Sequence, residues 1–204
     1  MKSGPPCAPA ATRNAAAILG VLEVELAGMG RVLEIGSGTA EHAVRFAPAL
    51  GRVTWQTSDL EEMHPGIHRQ LEHAGVTNVL PPVVLDVMTA QPGSRRYDAV
   101  FSANTLHIMP AEATARMAEF VAEVLRTGGA WCCYGPFRRE GAYTSPSNAA
   151  FDASLRSRDA RMGLRDLEVV CAHAESAGLV HRRTYAMPAN NLLIVWQKVG
   201  VADD

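Results

Sequence analysis

Three carboxylates, Glu34, Asp59 and Asp86, each stand at or near the end of a short apolar run, and the first is followed at once by Gly36 and Gly38 before a helical pattern begins. Glycines at that point let the backbone turn tightly and come close to a ligand. The free N–H groups of the next helix point at the same spot. Gly36, Ser37, Gly38 and Thr39 therefore form a loop suited to a nucleotide-type ligand. An acidic end to an otherwise apolar strand also calls for a partner, because an unpaired buried carboxylate is costly. Glu34 is either that ligand-facing acid or an acid satisfied by local N–H groups.

What the loop lacks narrows the ligand. A dinucleotide fingerprint needs a third Gly or Ala three residues after Gly38, where Glu41 stands, and a pyrophosphate would meet Glu34 and Glu41. S-adenosyl-L-methionine carries a sulfonium and an ammonium beside one carboxylate, which suits a site mixing acid side chains with a helix N-terminus. That molecule is the expected cofactor, with S-adenosylhomocysteine as its product. Asp59, just after the second strand, is placed to accept from both ribose hydroxyls, with Leu60 beside it in the same binding set; Asp also suits a helix N-cap there, and the two roles are compatible.

Positioning these residues requires alternating strands and helices. Strands are expected over Val32–Ile35, Val53–Thr57, Val79–Leu85, Tyr97–Ala103 and Ala130–Tyr134, with helices over Ala40–Leu50, Leu60–Ala74 and Ala111–Leu125. An entry helix, Ala10–Ala27, precedes them. The Gly-, Pro-, Ser- and Arg-rich start of 135–163 and the helical Asn148–Arg158 read as a lid insertion. The amphipathic Leu164–Ala177 follows, then Leu179–Ala186 and Asn191–Gln197, which form a hairpin around Met187-Pro-Ala-Asn190. The expected class is α/β: a Rossmann-like, doubly wound, seven-stranded sheet, mostly parallel, closed by an antiparallel C-terminal hairpin strand in a single domain over 1–204.

That arrangement is similar to the class I methyltransferase fold. More narrowly, Pro9-Ala-Ala-Thr-Arg-Asn14, Trp55-Gln-Thr-Ser-Asp-Leu60, Asn104-Thr-Leu-His-Ile108, Tyr134-Gly-Pro-Phe-Arg-Arg139, Ser147-Asn-Ala-Ala-Phe-Asp152 and Met187-Pro-Ala-Asn-Asn-Leu192 resemble the methyltransferase-like 26 family, also catalogued as domain of unknown function 938. The resemblance implies that Asp86 faces the adenine amine with Val87 against the ring, the alternative being a turn-forming Asp that bonds its own backbone. It places Asn104 near the methionine end of the cofactor, unless Asn104 is a left-handed turn residue. The entry helix would fold over the cofactor, so that Asn14 holds the methionine carboxylate or the substrate and Arg13 joins the substrate site. His42 is a further cofactor candidate, and all three are also compatible with a solvated helix.

Methyl transfer is an in-line displacement, so alignment and water exclusion matter more than a base. His107 and Tyr134 are the candidate catalytic groups; His107 fits a general base or, alternatively, a histidine buried under the next helix. Phe137, Arg138, Arg139 and Tyr143 follow the fifth strand, where a loop covers the acceptor, and their arginines suggest an acidic small molecule. Asn148 and Asp152 share a helix face on the lid; Asp152 either orients an amine or caps a turn. The expected function is S-adenosylmethionine-dependent transfer of a methyl group to a small molecule, the alternatives being a catalytically silent binding or adaptor domain and a nicotinamide-dependent oxidoreductase.

The bulk values set limits. With 48% hydrophobic residues, 20% charged residues and a net charge of −2 over 204 residues, the chain has an ordinary globular balance and no electrostatic footprint for nucleic acid. Cys7, Cys132, Cys133 and Cys171 lack CxxC spacing and read as reduced thiols, and no apolar run suits a leader or a membrane span, so a cytoplasmic monomer or homodimer is expected. No metal is expected: His64 and His68 have Pro65 between them and no third ligand nearby.

Overall fold

Runs such as Val32–Ile35 and Val100–Ala103 carry apolar residues at both parities, which is the pattern of strands covered on both faces. The computed structural model describes residues 9–200, with side chains from Asn14 onward. The helices are α1 (Pro9–Glu25), α2 (Glu41–Ala49), α3 (His64–Ala74), α4 (Ala113–Val124), α5 (Pro146–Arg158) and α6 (Leu167–Ser176). The strands are β1 (Arg31–Ile35), β2 (Thr54–Asp59), β3 (Val79–Val84), β4 (Tyr97–Ala103), β5 (Leu125–Gly135), β6 (Phe137–Arg139), β7 (Ala142–Tyr143), β8 (Arg165–Asp166), β9 (Leu179–Met187) and β10 (Asn191–Lys198).

Seven strands form one sheet in the order β3-β2-β1-β4-β5-β10-β9. The first five run parallel, and β10 enters antiparallel between β5 and β9. Strand order reverses between β1 and β4, so the carboxyl ends of those two strands open a crevice. Alternation along each strand splits the core in two. Leu33, Ile35, Val100, Trp131 and Trp196 pack with α4 and α6, while Val32, Trp55, Phe101, Cys132 and Leu193 pack with α1, α2 and α3.

The edge strand β3 contains Pro81 and Pro82, which an interior strand would not tolerate. Opposite them the register shifts between Gln56 and Ser58. Side chains fill the gap: Gln56 Nε2 donates to Pro81 O at 2.6 Å and Thr57 Oγ1 to Leu80 O at 2.9 Å.

The sequence pattern does not anticipate a second sheet, β7-β6-β8. Phe137 and Arg138 pair in parallel with Arg165 and Asp166, so α6 starts at Leu167, after that short strand, and not at Leu164. Strand β5 starts at Leu125, directly off α4, five residues before the expected Ala130. A short 3₁₀ turn over Glu61–Met63 delays α3 to His64. Among the described residues no helix is long and apolar enough to cross a membrane, and no group of three or more His, Cys, Asp or Glu is placed to hold a metal ion.

Candidate functional site

The loop after β1 is built from left-handed backbone and cross-strand bonds. Gly36 and Gly38 have φ of 75° and 57°, and Ala40 follows at 59°. The N–H groups of Gly36 and Ser37 both donate to Ser58 O on β2, at 3.1 and 2.9 Å, and Gly38 N donates to Asp59 Oδ2 at 2.7 Å. A side chain at Gly36 would collide with Thr105, whose Oγ1 lies 2.8 Å from where a Cβ would sit. Helix α2 then starts with no side-chain cap, leaving its first turn open. An aromatic group fixes that helix from below: Phe46 lies 5.8 Å from Phe101 and 6.0 Å from Trp55, ring centre to ring centre.

These parts wall a cleft of about 640 Å³ at the order reversal. Gly36, Ser37, Gly38, Thr39 and His42 line it from the first loop and α2, Asp59 and Leu60 from the end of β2, Asp86 and Val87 from beyond β3, and Asn104 from beyond β4. Ten of the twelve sequence-predicted cofactor positions are thus brought together. Asp59 spans the loop, accepting from Gly38 N and, through Oδ1, from Leu60 N at 2.8 Å. Asp86 accepts from Met88 N at 2.9 Å, so its turn-forming role is present alongside its place on the wall. Asn104 is left-handed, at φ 59°, and its N–H donates to Tyr134 O. Sequence reasoning did not single out Glu62, Met63, Met88, Ile108, Met109 and Pro110 as lining residues; their signal was position alone, a few residues past a strand end.

The charge on the wall has one sign. Glu41, Asp59, Glu62 and Asp86 line the cleft, and among the described residues no Lys or Arg does. His42 does not offset them. Burial, then the nearby Arg45 charge, pushes it down to about 4; its Nε2 bonds Asn14 Oδ1 at 3.0 Å, and its ring stacks on Phe46.

Two predicted cofactor residues stand behind the wall. Asn14 is buried against His42. Glu34, 2% exposed, lies under the loop, where its Oε2 accepts from Ser37 Oγ at 2.9 Å and from Trp55 Nε1 at 3.1 Å. Burial raises its carboxyl to about 7, against the opposing pull of the Trp55 and Ser37 hydrogen bonds and with a further push from Asp59.

Neither candidate catalytic group lines the cleft. His107 sits in a 3₁₀ turn, Leu106–Ile108, with its ring edge-on to Phe151 at 5.1 Å. Burial, followed by the charges of Arg165 and Arg158, lowers it to about 4, so it is a neutral packed histidine near pH 7. Tyr134 is buried on the α1 side of the sheet, where burial raises its hydroxyl while a bond to Asn14 pulls it down.

The residues read as acceptor contacts hold the lid together instead. Phe137 is in the α4/α6 core. Arg138 pairs with Asp166 at 2.6 Å and lies over the Tyr143 ring. Asp152, 1% exposed, accepts from Tyr143 Oη, Arg156 Nε and Leu164 N. Asn148 donates to Thr144 Oγ1 and to Asn190 O at the hairpin tip. The side chain of Arg13 lies outside the described residues. The lid is fastened to the cleft wall by Gly163 N donating to His107 O at 3.0 Å and by Arg165 Nη2 donating to Met109 O.

Solved structures repeat this architecture. An O-methyltransferase family protein from Burkholderia thailandensis superposes with a TM-score of 0.83 at 15% identity, over 94% of this chain and 58% of that one. The O-methyltransferase family 2 protein of Planctomyces limnophilus, solved with apigenin, gives 0.82 at 18%, over 93% and 58%. Human N-acetylserotonin methyltransferase, solved with S-adenosylmethionine, gives 0.79 at 14%, over 94% and 53%. The chain therefore spans little more than half the length of these structures, and at such identities the likeness establishes the fold. Residues 5–198, nearly the whole chain, match the family model described as "Protein of unknown function (DUF938)", and the chain belongs to that family.

Proposed function

We propose that this protein is an S-adenosylmethionine-dependent methyltransferase acting on a small molecule. One observation carries the reading: a crevice at the sheet's order reversal whose wall, among the described residues, has four carboxylates and no lysine or arginine. Such a wall suits a ligand with two cationic centres and repels a pyrophosphate. The two glycines let the backbone come within contact distance of a ligand, and the uncapped start of α2 suits its single carboxylate. When bound, S-adenosylmethionine supplies a methyl carbon already activated by the sulfonium.

The chain's own residues would bind, orient and exclude water. Asp59 has oxygens at the loop for the ribose hydroxyls, Asp86 and Val87 serve the adenine, and Asn104 with the Gly36–Thr39 loop serves the amino-acid end. Ile108, Met109 and Pro110 give that end an apolar flank suited to keeping water from the reacting carbon. Displacement at an activated carbon needs alignment more than proton transfer, so the placement of His107 and Tyr134 away from the cleft is compatible with chemistry there. Of the two arginines that suggested an acidic acceptor, Arg138 is paired with Asp166. The motifs of the entry segment, strand ends and hairpin support a place among the methyltransferase-like 26 proteins. The Planctomyces neighbour's apigenin complex and the human neighbour's cofactor complex are in keeping with a small acceptor and this donor.

Calorimetric titration with S-adenosylhomocysteine, S-adenosylmethionine and NAD tests the reading. Both adenosyl ligands are expected to bind and NAD not to. Asp59→Asn, which removes a charged acceptor, is expected to weaken binding about 10- to 100-fold. NAD binding without any response to S-adenosylhomocysteine would overturn the assignment.

A further inference from the structure

Glu34 is a buried acid with no cation beside it among the described residues. Its two donors, Trp55 Nε1 and Ser37 Oγ, are neutral. Around it, among the described side chains, stand Asp59 on β2, Glu41, His42 and Arg45 on α2, Phe101 and Ser102 on β4, and the neutral Asn14 on α1, which His42 and Tyr134 bond. Arg45 is turned to Glu41, at 3.8 Å, with its side chain 43% exposed. His42 stays uncharged down to about pH 4. Among the described groups, the full charge that acts on Glu34 is the negative Asp59. A carboxylate in that position has two ways to lose its charge penalty: hold a proton, or face a cation that arrives with a ligand.

Ser37 connects the two. Its Oγ donates to Glu34 and accepts from Ser58 N at 3.1 Å, while the residue itself lines the cleft. We propose that Glu34 carries a proton in the free protein and releases it to solvent when a cationic adenosyl ligand seats on the Gly36–Gly38 loop, so that binding at this cleft is coupled to proton release. The step breaks the carboxyl O–H bond, passes the proton to water or buffer, and leaves the carboxylate facing the ligand's ammonium through the loop. It rests on the donor reading above. The carboxyl's rise to about 7 puts the exchange in the physiological range.

The count of protons is directly measurable. Titrating the full chain with S-adenosylhomocysteine, which retains the ammonium, in buffers of different ionisation enthalpy should show about 0.9 proton released at pH about 6, about 0.5 at pH about 7 and about 0.1 at pH about 8. Apparent affinity should rise about tenfold over that interval, following the ionised fraction. Glu34→Gln keeps an acceptor for Trp55 and Ser37 and should bind with no proton release and no such slope. Binding without release at the lowest pH overturns the proposal while leaving the donor reading intact, and it does so in the wild type even if the variant fails to fold. Release that persists in Glu34→Gln also overturns it, since the proton then comes from elsewhere. Failure of both adenosyl ligands to bind removes the donor reading and this one together.

Discussion

Replacing Gly36 by Ala separates two costs that are usually merged. Gly36 and Gly38 both have left-handed backbone, φ 75° and 57°, so an alanine at either position meets a conformational penalty of about 1–2 kcal/mol. At Gly38 nothing lies within 4 Å of the added Cβ, and that penalty is the whole cost. At Gly36 the Cβ would stand 2.8 Å from Thr105 Oγ1 and 2.9 Å from its Cγ2. Thr105 cannot easily turn away, since its hydroxyl is held at 3.2 Å from Ile35 O and 3.3 Å from Ala103 O. Overpacking of that kind adds about 1–3 kcal/mol, giving a total of about 2–5 kcal/mol and a fall in Tm of roughly 5–15 °C for a chain of this size. Urea unfolding of Gly36→Ala, Gly38→Ala, Thr105→Ala and the Gly36→Ala/Thr105→Ala pair is the assay. The double variant should recover about 1–3 kcal/mol relative to the sum of its parts. If Gly36→Ala costs no more than Gly38→Ala, or if truncating Thr105 gives no recovery, the steric account of this loop is wrong.

Two further expectations concern the lid and its anchor. His107 is lowered in the fold from 6.5 to about 4, so the stability it contributes is present above pH about 6.5 and is lost as pH falls toward 4, by about 3 kcal/mol in total; the cost of His107→Asn at pH about 7 should shrink by that amount near pH 4, and a cost independent of pH in urea titrations would refute it. Arg165→Met removes the donors to Gly163 O and Met109 O and should destabilise by about 2–3 kcal/mol, with hydrogen exchange speeding first at residues 106–110 and 160–165; uniform exchange across the sheet would show that the clamp is not local.

What the sequence made legible is what local pattern encodes. The strand ends, the two glycines and the carboxylates Asp59, at the end of β2, and Asp86, just past β3, are read from neighbours a few residues apart, and the structure gathers them at one crevice. The lid was not legible in that way. Arg138 meets Asp166, and Asp152 meets Leu164 N, across separations that no period announces, and strands of two or three residues carry no alternation. Glu34 was read as facing a ligand because it ends a strand. Its parity with Val32 turns it toward Trp55 and beneath the loop, a consequence of which face α2 and α3 cover. Ile108 and Met109 look like ordinary core residues in the sequence, and only the short 3₁₀ turn brings them to the cleft.

Pro81 and Pro82 do more than mark where the sheet stops. Two adjacent prolines take two N–H donors out of this border. On the β2 side, Thr57 and Gln56 donate from their own side chains to the Leu80 and Pro81 carbonyls. A neighbouring polypeptide that tried to zip onto this border would find fewer donors in the ladder. The border therefore resists templated growth into fibrils by its covalent make-up, in a region where Leu80, Val83 and Val84 are otherwise exposed and inviting to an incoming strand.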